Sequence, residues 1–226
     1  METPVLSYLM AEKGYITEII VLSLAVSGTA TLLGSAVGVP VGAWLGISDF
    51  PGKRSWLRLI YTLMALPPVL AGLVVYLLLS RSGPLGELGL LFTPWAMIAA
   101  QFLLVTPIVT GLTAAAVAGQ DRLVYENALS LGATRSQANW TVIKEAKVGI
   151  VSAVMTGFGR ALAEVGAVML VGGNIKHHTR VLTTAIVMET RQGNFELAVA
   201  LGIILLVTSF VVSSIALLRI DEFRLR

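Results

Sequence analysis

Polar residues in this chain are gathered into short intervals, and between them lie five apolar stretches at residues 19–48, 59–80, 88–120, 148–175 and 197–218. Four hold no charged side chain, while the stretch at 148–175 holds two, Arg160 and Glu164. Each exceeds the about 20 residues a helix needs to cross a hydrocarbon core of roughly 30 Å. In lipid the backbone must satisfy its own hydrogen bonds, so apolar runs of this length predict helices. The pattern predicts an all-α integral membrane protein, a polytopic bundle of about five transmembrane helices. They are expected near residues 17–48, 57–80, 92–119, 148–172 and 197–219, within one transmembrane domain covering 1–226.

Proline marks where these helices should deviate. Pro40 predicts a tilt or kink at the Val39-Pro40 step, and Pro67-Pro68 a break within the second span. Pro94 lies near the start of the third span and Pro107 inside it. Gly, Ser and Thr recur in the spans, as in Ser27-Gly28-Thr29 and Gly157-Phe158-Gly159, where small side chains let membrane helices approach closely.

Composition removes the soluble alternative. Hydrophobic residues make up 56% of the chain and charged residues 13%, about half the charge of an ordinary soluble domain. The lipid bilayer is the solvent this excess requires. With no cysteine, disulfides, thiolate metal sites and cysteine nucleophiles are excluded. His177 and His178 are adjacent and cannot converge on one metal from a single helix face. The net charge of +3 calls for no nucleic-acid partner. Glu2 and Glu12 stand where the basic segment of a cleavable signal peptide belongs, so the first membrane helix is expected to direct insertion.

Lys and Arg are divided unevenly between alternate connections. One set holds ten: Lys53, Arg54, Arg58, Arg122, Arg135, Lys144, Lys147, Arg219, Arg224 and Arg226; the other holds five: Lys13, Arg81, Lys176, Arg180 and Arg191. Cytoplasmic loops carry the excess, which puts the N-terminus outside and the C-terminus in the cytoplasm. Two connections are longer than turns, a cytoplasmic one at 121–147 and an external one at 172–196.

The cytoplasmic connection contains Tyr125-Glu126-Asn127-Ala128-Leu129-Ser130-Leu131-Gly132-Ala133-Thr134. Glu126 to Leu131 are helix formers, and Gly132 sits where a left-handed turn would end the helix. The reading is a short helix, a tight turn, and a second helix from about Ser136, shaped to enter a groove on a partner. Glu126-x-Ala128-x-x-x-Gly132 resembles the EAA motif of binding-protein-dependent ABC import permeases, with the MetI-like fold. Asn127 stands where that family usually has a second alanine, and Lys144-Glu145 where its closing Leu-Pro stands. The resemblance implies that Glu126, Asn127, Ala128, Leu129, Leu131, Gly132 and Ala133 dock on an ATP-hydrolysing subunit.

In the fourth span Arg160 and Glu164 are four apart, so on one helix they share a face and can pair. The pair reads either as a salt bridge that fixes helix packing near the cytoplasmic end, or as part of a transport path or its gate. The external connection holds Asn174, Lys176, His177, His178, Arg180 and Arg191. Its basic character suits reception of an anion or an acidic docking face, and equally suits a solvated loop. Asn174, preceded by glycines, reads also as a helix C-terminal turn, and Thr183 to Glu189 as a short helix lying at the interface and closing the outer mouth.

The run Arg160-Ala161-Leu162-Ala163-Glu164-Val165-Gly166-Ala167 followed by Val171-Gly172-Gly173-Asn174-Ile175 is similar to the molybdate, tungstate and sulfate branch of these permeases. Residues 172–185 together with Glu189-Thr190-Arg191-Gln192-Gly193 are most similar to its tungstate subfamily. The resemblance implies partners: a second copy of the chain, a cytoplasmic ABC ATPase dimer, and an extracellular or periplasmic oxyanion-binding protein. It places the chain in the cell membrane of a prokaryote. The sequence lacks a G-x-x-x-x-G-K-[ST] phosphate loop, so no cofactor is expected here, with ATP and Mg on the partner ATPase. No nucleophile–base constellation points to an enzyme. A molybdate or sulfate permease stays open, as does, more remotely, an ion-driven secondary transporter, which would carry several intramembrane carboxylates. A scaffold without transport has no use for proline-broken helices around a docking loop.

Overall fold

The computed structural model describes residues 12–120 and 122–224. Glu2, Asp121 and Arg226 lie outside that range, as do the side chains of the charged tail from Arg219 onward. The described residues form ten α-helices: α1 (Lys13–Ile47), α2 (Lys53–Met64), α3 (Pro68–Leu79), α4 (Pro94–Ala118), α5 (Arg122–Ser130), α6 (Arg135–Glu145), α7 (Lys147–Leu162), α8 (Gly166–Gly172), α9 (Leu182–Arg191) and α10 (Phe195–Arg224). A short 3₁₀ turn at Gly86–Leu88 lies between α3 and α4.

Three helices, α1, α4 and α10, are each long and apolar enough to cross a membrane alone. Each of the other two expected spans is a bent pair, the geometry of a broken span or a re-entrant loop. Between α2 and α3 the axis turns by 94°, at the expected Pro67-Pro68 break. Leu66, preceding a proline, is pushed from the helical region, and Pro68 occupies the first turn of α3, where no N–H is needed. The span at 148–172, expected as one helix, is α7 and α8 meeting at 56°. Nothing in its sequence but Gly166 hinted at the break. α1 in turn runs unbroken through Pro40.

The frame is built on α1 and α4. Gly34, Gly38, Gly42 and Gly46 recur every fourth residue along α1, and a Cβ on any of them would press into α4. At Gly42 it would meet the Thr110 carbonyl oxygen at 2.5 Å, and at Gly46 the Val117 Cβ at 2.8 Å. Every fourth residue lies on one face, so the glycines form a groove that admits the second helix. In membranes such close approach supplies the packing that hydrophobic burial cannot. Val26, Ala30, Ala71, Val75, Met97, Ala100, Ala167 and Val168 unite α1, α3, α4 and α8 in the largest buried cluster. Large apolar side chains also point outward, among them Leu32, Trp44, Leu77, Leu206 and Phe210. That outward band is what a lipid solvent accepts and water does not.

Candidate functional site

The helix–turn–helix expected in the connection at 121–147 is present. α5 ends in a Schellman motif: the Ala133 N–H donates to the Ala128 carbonyl at 3.1 Å and the Gly132 N–H to that of Leu129 at 2.9 Å. This closure needs a left-handed residue, and Gly132 supplies it with φ +86°. α6 then begins on a capping box. Thr134 Oγ1 accepts from the Gln137 N–H, and Gln137 Oε1 accepts from the Thr134 N–H. The two caps hold α5 and α6 at a fixed angle with only four residues between them.

α5 buries none of its side chains. Glu126 pairs with Arg122 Nε at 2.8 Å along the helix, while Asn127 and Leu129 are exposed and Ala128 and Ala133 half-buried. Leu131, at the turn, is 89% exposed. A helix offering Leu123, Leu129 and Leu131 to its surroundings has the character of an interface.

Arg160 and Glu164 do pair, Nη1 to Oε2 at 2.8 Å, but not along one helix as the spacing suggested. α7 ends at Leu162, so Glu164 lies in the bend. The pair stands at the end of α7 remote from α5 and α6. Glu164 is buried and serves three elements. Its Oε1 accepts from the Ala167 N–H at the start of α8, its Oε2 holds Arg160, and its carbonyl accepts from Thr183 Oγ1 of α9. Arg160 remains 40% exposed.

The basic residues of the connection at 172–196 are brought together against the start of α1. Arg180 donates through Nε to Asn174 Oδ1, through Nη2 to the Asn174 carbonyl, and through Nη1 to Tyr15 Oη at 2.9 Å. Lys176 lies over the Tyr15 ring, 4.8 Å from its centre, and His177 Nδ1 is 2.7 Å from Glu18 Oε2. His178 is exposed. Asn174 follows the C-terminal turn of α8 and is itself left-handed at φ +51°. The first turns of α9 are packed inward, with Leu182, Thr183, Thr184 and Ala185 buried. The Leu182 N–H is taken by Ser23 Oγ of α1.

Residues 38–226 match the family described as "Binding-protein-dependent transport system inner membrane component". The chain belongs to this family. Over 197 residues the permease is 47% identical to the "Tungstate uptake system permease protein TupB" of Peptoclostridium acidaminophilum, spanning 87% of this chain and 86% of the relative. A protein of the same name from Campylobacter jejuni is 39% identical, spanning 72% and 68%. The "Putative molybdenum transport system permease protein YvgM" of Bacillus subtilis is more distant, at 28% over 84% and 88%. The permease fold matches the solved "Crystal structure of an amino acid ABC transporter with histidines" with a TM-score of 0.71, covering 98% of this chain and 100% of that one. At 18% identity that likeness concerns the MetI-like fold alone.

Several residues that organise the permease escaped sequence reading. Gln101, a polar side chain inside an apolar span, donates from Nε2 to the Ala161 carbonyl at 2.9 Å and ties α4 to the last turn of α7. Its place in an apolar run was a visible signal, as was the four-residue glycine spacing of α1. Tyr15, Glu18, Ser23 and Thr183 gave none, because their partners are distant in sequence.

Proposed function

We propose that this chain is the pore-forming permease subunit of an ATP-driven importer of a tetrahedral oxyanion, and that the oxyanion is tungstate. The observation that carries the substrate is the graded similarity, high to tungstate permeases and lower to a molybdenum one. The exposed α5 and its rigid turn support the coupling half of the reading. Two copies form the path, with the N-terminus outside. A cytoplasmic ATPase dimer, carrying ATP and Mg, grips the 126–133 segments, and an external binding protein delivers the anion. The permease itself catalyses no bond chemistry.

Closure of the ATPases on ATP moves α5, and the α5–α6 angle transmits that movement to α7, which follows α6 after a single residue. The bundle then opens outward, receives the dianion, and reverts on hydrolysis. Passage requires that no site hold the anion tightly, because a conducted ion must leave as readily as it enters.

The test is the tungsten and molybdenum content of cells with and without the gene, measured by elemental mass spectrometry at low external oxyanion. Loss of tungsten alone, restored by the intact gene, is the expected result. Loss of both elements makes the route a shared one, and unchanged content of both, in cells without a second importer, removes the substrate assignment.

A further inference from the structure

The open face of α7 differs from the outward faces of α1, α3 and α10. Those present Leu32, Leu77, Leu206 and Phe210, side chains at home in lipid. α7 presents Ser152 and Thr156, with Gly159 and Arg160 half-buried and Ala163 exposed just past its end, while Ala153, Gly157, Phe158, Ala161 and Leu162 are buried on its other side. Beyond Gly159 the space is open, with nothing within 4 Å of an added Cβ. The Ser152 and Thr156 hydroxyls bond back to the carbonyls of Val148 and Ser152, leaving oxygen lone pairs for water.

Arg160 is the decisive member of this face. A guanidinium has five N–H donors, and the Glu164 bond occupies only the Nη1 group. With 40% of the side chain exposed, the remaining donors of the fork are open to the surroundings at the end of α7. Such a group against hydrocarbon is costly, and intramembrane arginines face water or protein interiors. Its planar fork fits the edge of an oxyanion.

Resting on the importer reading above, we infer that the open face of α7 lines the anion path and that Arg160 touches the passing oxyanion. Glu164 is the counter-charge that keeps this hold weak. Arg160 alone would retain a dianion. The carboxylate at 2.8 Å offsets its charge, and that carboxylate is itself fixed by the Ala167 N–H.

The chain has no cysteine of its own, so Thr156→Cys places one thiol a helical turn from Arg160. In membranes holding the assembled importer, labelling of the permease is followed with anionic sulfonatoethyl and cationic trimethylammonium methanethiosulfonates. We expect both water-borne reagents to react, the anionic one faster, and tungstate to slow the reaction. Adding Glu164→Gln, which keeps an acceptor for the Ala167 N–H, should lower the half-protecting tungstate concentration about tenfold by removing a like charge. Adding Arg160→Gln to that should abolish protection and the charge preference without leaving a buried carboxylate unpaired. No reaction of the thiol with either reagent, or identical protection across the series, overturns the inference. Radiolabelled tungstate uptake by the unsubstituted importer separates the two readings: absent uptake condemns the importer assignment, and uptake with a flat series condemns only the role of Arg160.

Discussion

Gly42 of α1 and Thr110 of α4 stand so close that a Cβ on the glycine would lie 2.5 Å from the threonine carbonyl oxygen. The obstacle is backbone and cannot rotate away. Gly42→Ala should therefore push the two central helices apart and cost about 1–3 kcal/mol, as overpacking does. Gly28→Ala, where nothing lies within 4 Å, should instead stabilise by about 0.5–1 kcal/mol through helix propensity. Thermal unfolding of the two variants in one detergent checks the sign of each.

Glu164 is expected to matter to folding more through its oxygen atoms than through its charge. Glu164→Gln keeps an acceptor for the Ala167 N–H, whereas Glu164→Ala leaves that donor and Arg160 Nη1 both without it. The alanine variant should be less stable than the glutamine variant by about 1–3 kcal/mol, the cost of unsatisfied buried donors. Denaturation midpoints of the purified variants measure the gap, and equal midpoints would mean that α8 needs no such cap.

Leu131→Asp tests docking without disturbing the fold. At 89% exposure the side chain packs on little, and its replacement should change stability by less than about 0.5 kcal/mol. Loss of a central apolar anchor at an interface typically costs about 2 kcal/mol or more, roughly 30-fold in affinity. Retention of the ATPase on the immobilised permease reads this directly, and undiminished retention would put the docking surface elsewhere.

The latch between Arg180 and Tyr15 has its own variant. Tyr15→Phe removes one hydrogen bond from Arg180 Nη1 while leaving the ring under Lys176. A loss of about 1 kcal/mol is expected, seen locally as faster amide exchange at 174–180 and in the first turn of α1. Exchange confined to wild-type rates would show that the remaining contacts, His177–Glu18 and Lys176 on the ring among them, suffice to hold the loop.

Much of this protein is dictated by its order of residues. Long uncharged runs leave the chain no solvent but lipid, and lipid leaves it no secondary structure but helix, so the existence of membrane helices follows from the order of residues alone. The α5–Gly132–α6 turn was equally legible, because a Schellman closure and a capping box are made by residues within a few positions of one another.

Relations across the bundle belong to the tertiary structure. The Arg160–Glu164 spacing announced a pair, yet not that α7 would stop between them. That bend exists because Gln101 holds the Ala161 carbonyl while Glu164 restarts the chain as α8, and Gln101 is 60 positions away from Ala161. The basic loop at 172–196 read either as a receiver for an anion or acidic face or as solvated charge, whereas Arg180, His177 and Lys176 also meet Tyr15 and Glu18 at the opposite end of the sequence. A local pattern is set by bonds between near neighbours. Which distant polar group meets which depends on helices already packed, and here that packing is decided by the glycine groove of α1 receiving α4.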